Sequence, residues 1–174
     1  EPDTAGGFHS LVLPDALAQQ LREAAQDQGV TLYVLVLAVT QVLLGRLAGQ
    51  RDVRIGTAVA NRDLAETQAL IGCFVNTLVI RAEVDPQQAF KTFLNQVGER
   101  VLKAQEHQEV PFERLAVEPE IAAHANKAGL YQSLYSFQDA RGRERHWGPL
   151  EHRSVLVMQK GATEDFSLWL MEVP

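Results

Sequence analysis

The residues best suited to chemistry are five histidines, one cysteine and one amide set in an apolar run. The histidines are His9, His107, His124, His146 and His152, and no two are adjacent. His107 and the three after it show no H-x-x-x-H, H-E-x-x-H or C-x-x-C spacing, so no metal site is expected. No serine or cysteine stands beside a base as a nucleophile would, and Gly6-Gly7 does not make a phosphate loop. Cys73 lies in the apolar run 71–80, which predicts a buried, inert thiol that labels slowly in the folded state. Asn76 lies in the same run. A buried amide left without partners costs about 1–3 kcal/mol, so a bond to a neighbouring loop is expected. Thr77, β-branched, suits a strand. His107 could donate a proton, but capping the C-terminus of a preceding helix is its expected role, since its charged form suits the dipole. Phe112 and Glu113 should anchor the following loop to that helix, and Arg62 should pair with an acid.

The elements that must hold these residues read as follows. Residues 9–13 form a short strand candidate running into Pro14, which opens a helix with Leu17, Leu21, Ala24 and Ala25 on one face. Gly29 ends it, and Thr31 caps a second helix that Gly49 stops. That helix contains Thr40, Gln41 and Arg46 and is too short for a comfortable bilayer span, so it reads as buried on most sides. Residues 52–60 alternate as a strand with one buried face. A short helix to about residue 70 precedes a strand over 74–81, apolar enough to be covered on both faces. Asp85-Pro86 reads as the start of a long helix with Phe90, Leu94, Val97, Val101 and Ala104 inward, ending near Gln105. Strands are expected over 130–137, 150–158 and 166–173, with the charged run 139–147 a solvated turn. Helices and strands interleave along one core, an α/β or α+β sandwich.

The chain has 174 residues, 46% hydrophobic and 22% charged, which suits one globular domain. A formal net charge of −6 gives no electrostatic reason to bind nucleic acid or anionic lipid. The single cysteine excludes an internal disulfide and fits a reducing compartment. There is no basic segment followed by an apolar stretch, hence no signal peptide, and a cytoplasmic location is expected. Residues 1–8 read as a linker, which suggests a piece of a longer polypeptide, and residues 9–174 as one unit.

Two segments resemble the fifth and sixth signature motifs of condensation domains from nonribosomal peptide synthetases. They are Ile71-Gly72-Cys73-Phe74-Val75-Asn76-Thr77-Leu78-Val79-Ile80-Arg81 and His107-Gln108-Glu109-Val110-Pro111-Phe112-Glu113. Before them, Gly49-Gln50-Arg51-Asp52 and Gly56-Thr57-Ala58-Val59-Ala60-Asn61-Arg62 resemble G-Q-x-D and G-T-P-V-A-G-R, with Ala58 for proline and Asn61 for glycine. Asparagine tolerates a left-handed backbone, so that turn can survive. The seventh motif is eroded: over 123–130 only Leu130 matches, and Lys127 keeps a positive charge. Phe166-Ser167-Leu168 stands where the family often has F-D-L.

The resemblance implies a chloramphenicol-acetyltransferase-like two-layer sandwich with a mixed sheet, and amide-bond formation between thioester-bound building blocks in antibiotic-type secondary metabolism. The catalytic H-H-x-x-x-D-G is absent, so the chain corresponds to the C-terminal subdomain and should not be catalytic alone. On this resemblance Ala60, Asn61, Asn76 and Thr77 would line the substrate tunnel. Gly72, Phe74, Val75, Arg62, Arg81, His107, Gln108, Pro111, Phe112 and Glu113 would be motif residues that shape it. The chain itself would bind no cofactor. The phosphopantetheine arms of peptidyl carrier proteins would enter the tunnel. The N-terminal condensation subdomain and a neighbouring adenylation domain are the other implied partners, and self-association through an uncovered seam is expected. The alternatives are a non-catalytic structural platform within a synthetase and half of an epimerisation domain, against which the F-V-N-T segment argues.

Overall fold

The computed structural model of the chain describes residues 5–123, 125, 129–141, 146–151 and 161–173. Helix α1 (Asp15–Asp27) starts where the carbonyl of Pro14 accepts the N–H groups of Leu17 and Ala18. The strand expected over 9–13 does not form. Phe8, Leu11 and Val12 are exposed there, and a strand without a pairing partner leaves its backbone to water. Helix α2 (Leu32–Ala48) is capped by Thr31, whose Oγ1 accepts from the Val34 N–H at 3.2 Å, and Gly49 closes it with φ 62°. It buries Leu35, Leu37, Ala38 and Gln41 but exposes Val39, Leu43 and Leu47 at four-residue spacing. It is therefore a two-sided helix over its last turns, less enclosed than its composition suggests.

Strand β1 (Asp52–Val59) buries Val53, Ile55 and Thr57 as the alternation predicts. After the short α3 (Ala65–Gln68), β2 (Asn76–Glu83) pairs antiparallel with β1, from Asp52 opposite Glu83 to Val59 opposite Asn76. It begins two residues later than expected and is covered on one face only. Leu78, Ile80 and Ala82 are buried while Arg81 and Glu83 are exposed. Helix α4 (Phe90–Gln105) starts well after Asp85-Pro86. There the Asp85 carboxylate and carbonyl hold the N–H groups of Gln87 and Gln88 in a separate turn. Phe93 takes the inward position expected of Phe90, which is exposed. Two short helices follow, α5 (Phe112–Val117) and α6 (Pro119–Ala122).

Strand β3 (Ser133–Asp139) starts three residues after the expected boundary and extends into the run read as a turn. It lies parallel to β1 and to β6 (Phe166–Glu172). Among the described residues the result is a four-stranded mixed sheet in the order β2-β1-β3-β6. A separate hairpin joins β4 (His146–Trp147) and β5 (Leu150–Glu151). Most of the strand expected over 150–158 lies outside the described residues.

Helices α2 and α4 pack side by side on one face of the sheet, with α1 against α2. Leu37, Ile55, Ile80, Leu94, Val97 and Tyr135 are fully buried between the layers. A polar line runs through this core. Tyr135 donates its hydroxyl to the Tyr33 carbonyl at 3.2 Å, and Tyr33 donates its own to Thr57 Oγ1 at 3.0 Å. Burial pushes both phenols above their ordinary range. Gln41 donates Nε2 to the Ile80 carbonyl at 3.1 Å, which ties α2 to β2.

Candidate functional site

The sheet register sorts the motif residues onto two faces. Val59 pairs with Asn76 and Ala58 with Thr77, and successive side chains point to opposite faces. Ile55 and Thr57 face α2 and α4, so Gly56 and Ala58 belong to the opposite face, with Thr77 beside them. Asn76 is turned the other way, toward the loop that leaves α4.

There the Asn76 amide is fully used. Its Nδ2 donates to the carbonyls of Gln108 at 2.8 Å and Val110 at 2.7 Å. Its Oδ1 accepts from the N–H groups of Thr77 at 2.9 Å and Phe112 at 3.0 Å. Two motifs far apart in sequence are thus one joint. The bond to a neighbouring loop expected of Asn76 is formed, and it leaves the amide no spare donor. Gln108 extends the joint by donating Nε2 to Asp63 Oδ2.

Pro111 starts α5 by accepting the N–H groups of Arg114 and Leu115. Phe112 then lies against Tyr131, ring centroids 5.6 Å apart and edge to face. Tyr131 sits on the face opposite α2 and α4, because an added Cβ on Gly56 would come within 2.6 Å of its ring. The chain therefore passes round the end of β2, from α4 on one face to Phe112 on the other, with Asn76 holding the bend. Burial first, and then the nearby Glu164 carboxylate, raise the Tyr131 phenol above its ordinary value, and the neighbouring Thr77 hydroxyl offsets part of the rise.

Among the described residues Arg62 pairs with no acid. Its guanidinium donates to the carbonyls of Thr67, of Leu70 at 2.9 Å and of Gly72 at 2.8 Å, and lies 4.3 Å from the Phe74 ring centroid. Three converging carbonyls do electrostatically what a carboxylate would. They fold the segment 64–72 back on the exit of β1, where Asn61 adopts φ 50°, the left-handed turn expected of it. Because β2 starts only at Asn76, residues 71–73 are loop. Cys73 is exposed, contrary to the buried thiol expected, and so is Val75.

His107 is exposed and Glu106, not His107, occupies the cap position of α4. The His107 backbone makes the turn, its N–H donating to Ala104 and its carbonyl accepting from Val110, both at 3.2 Å. Glu113 is exposed, so anchoring of the loop falls to Phe112. At the far end of the hairpin, Arg81 Nε donates to Asp52 Oδ1 at 2.7 Å, and Arg100 donates to the Arg81 carbonyl at 3.1 Å. Ala60 is exposed just past β1. The structure thus brings together Asn76, Thr77, Gln108, Pro111 and Phe112, with Asn61 and Arg62 bordering them, and leaves Arg81 apart. Half of the eroded motif over 123–130, Lys127 included, lies outside the described residues. Sequence reasoning missed Tyr131, Asp63 and the meaning of Gly56. A glycine inside a strand, which marks close approach by a neighbour, was the available signal.

The sequence model of the family described as Condensation domain matches residues 2–167. Tyrocidine synthase 3 of Brevibacillus parabrevis is 37% identical over 136 residues, covering 78% of this chain and 2% of that protein. Chondramide synthase cmdD of Chondromyces crocatus is 42% identical over 139 residues, covering 78% of this chain and 4% of that protein. Among solved structures, the condensation domain from Monacolin K polyketide synthase MokA matches with a TM-score of 0.78 at 26% identity, over 94% of this chain and 38% of that one. The X-domain from teicoplanin biosynthesis, in its complex with OxyB, matches with a TM-score of 0.69 at 26% identity, over 88% of this chain and 33% of that one. The chain spans only a few per cent of these curated relatives and about a third of the solved chains.

Proposed function

Since the chain belongs to the condensation-domain family, we propose that it is the C-terminal half of a domain that joins carrier-bound aminoacyl or peptidyl thioesters by amide-bond formation. The observation that carries this reading is the Asn76 joint, which makes one structure of the two segments that carry the resemblance. Its consequence is a wall. Ala58 and Thr77 on the face opposite α2 and α4, with Ala60 and Asn61 just beyond, form a surface of small side chains that a phosphopantetheine arm can lie along. Asn76 supports this wall from behind and is not itself in it. In this reading the wall adds no acid or base. A histidine of the N-terminal half supplies that chemistry, and this half positions the thioester and excludes water. The partners are that N-terminal subdomain, peptidyl carrier proteins and a neighbouring adenylation domain, in the cytoplasm.

The test is incubation with two loaded carrier proteins, read by mass spectrometry of the thioester products. The expected result is no product from this chain alone and product once the half carrying H-H-x-x-x-D-G is joined to it. Product from the chain alone, or none from the joined halves, would sink the reading. The second reading, a docking platform, is favoured by the likeness to an X-domain solved in complex with OxyB. It requires the joined halves to be inactive and still to bind a synthetase partner.

A further inference from the structure

At the end of the β1–β2 hairpin remote from Asn76, the last turns of α2 and the first turn of α4 border a cavity of about 290 Å³. Strand β1 runs eight residues from this end to Val59, a span of about 23 Å, so the cavity is distinct from the proposed wall. Its lining is mostly apolar: Val42 of α2, Val84 and Pro86 of the turn after β2, and Phe90 and Phe93 of α4. Phe93 is buried, but Phe90, expected inward, leaves its ring 42% exposed. Backbone bonds fix the walls. The N–H groups of Gly49 and Gln50 donate to the carbonyls of Arg46 and Gly45, and the Val84 N–H donates to the Arg51 carbonyl. The Asp85 carboxylate holds the Gln87 N–H.

Two guanidinium groups line this cavity, and their surroundings differ. Arg51 meets Glu83 at 3.3 Å and Asp85 at 3.4 Å. Arg46 has no acid and no side-chain hydrogen bond among the described residues, and the last-turn carbonyls beside it already accept from Gly49 and Gln50. An apolar hollow with one unpaired cation selects a ligand with an apolar body and a single negative charge. A planar carboxylate matches the fork of a guanidinium. A phosphate dianion suits the site less, because the Asp85 carboxylate repels its second charge and Arg51 is already paired. We propose that this cavity binds a small apolar carboxylate, the size of one aromatic ring on a short acid chain, with its ring against Phe90 and Val84 and its carboxylate on Arg46. The volume lies at the lower end for small-ligand sites and sets that size limit. This site does not depend on the condensation reading.

The experiment titrates phenylpropanoate into the full chain, with phenylpropanamide as its uncharged analogue. Methyl NMR signals of Val42 and Val84 report occupancy. The acid should shift both signals saturably with a Kd of about 1 mM or tighter, and the amide should bind about tenfold more weakly. Arg46→Met should bring the acid down to the affinity of the amide and leave the amide unchanged. Arg46 is exposed, so the melting temperature of this variant should match wild type. Lys103→Met removes the same charge near the other end of α4 and should keep the wild-type preference for the acid. Phe90→Ala should weaken acid and amide alike. No saturable shift at Val42 and Val84, equal affinity for acid and amide in wild type, or equal losses in Arg46→Met and Lys103→Met would overturn the proposal.

Discussion

Asn76 uses both ends of its amide on backbone groups of the loop and strand it joins, and each bond has a partner that would otherwise lie in a half-buried site. Asn76→Ala should lower stability by about 1–3 kcal/mol, read as a shift in the urea midpoint. Asn76→Asp should cost at least as much. A carboxylate of the same shape keeps the two acceptor bonds but sets an oxygen against the carbonyls of Gln108 and Val110. Coincident melts of wild type and both variants would show that the joint carries no stability. Cys73, three residues earlier in the same run, is the opposite case. It lies on a loop gathered through backbone carbonyls, not through its own side chain, so a thiol reagent should label it in the folded state about as fast as in denaturant. Labelling slowed by orders of magnitude would contradict the exposed loop.

Local chemistry sets where the elements begin and end. Thr31, Gly29 and Gly49 were legible because a cap or a left-handed residue acts within one turn of itself. Thr31→Ala removes the side-chain oxygen that holds the Val34 N–H and should cost about 1 kcal/mol, measurable by thermal or chemical melting. No change would mean that water replaces the cap at no cost. The strand boundaries were less legible. The apolar run before Asn76 has strand composition, yet pairing with β1 stops where Val59 meets Asn76. Residues 71–75 then have no ladder to join, and Arg62 gathers them as loop. Helix α4 likewise starts late, because Asp85 closes its own turn first.

Across the whole molecule, three tyrosines couple the fold to pH. Burial raises Tyr33, Tyr131 and Tyr135 above the ordinary phenol value of 10.0. The unfolded chain releases these protons near pH 10 while the folded chain keeps them. Their contribution to stability is therefore full below pH 10 and is lost as pH rises above it. Tyrosinate absorbance for these residues should grow together with loss of folded circular dichroism, and ionisation of all three in an intact fold would refute the account. On the sheet's other side, β6 is an edge among the described residues and carries exposed Trp169 and Met171. An open apolar edge invites pairing. The isolated chain is expected to self-associate, seen as a rising mass in light scattering across a concentration series. A single monomeric mass throughout would show that this edge needs no cover.

The sequence alone determined the layered α/β class, the first two helices with the residues that start and stop them, the buried face of β1, and the family-like motifs. Each of these depends on the period of side chains along one element or on residues a few positions apart. Tertiary structure decided what periodicity does not contain. It placed Asn76 on the loop side and Thr77 on the open side of one strand, since a face exists only once β1 fixes the register. It turned Arg62 from an expected ion pair to three carbonyls, because a folded loop offers them at a single point. It brought Tyr131 onto Gly56 from far along the chain, which no local signal could specify. The missing side chain at position 56 recorded that a neighbour would come, and only the parallel pairing of β1 with β3 decided which one.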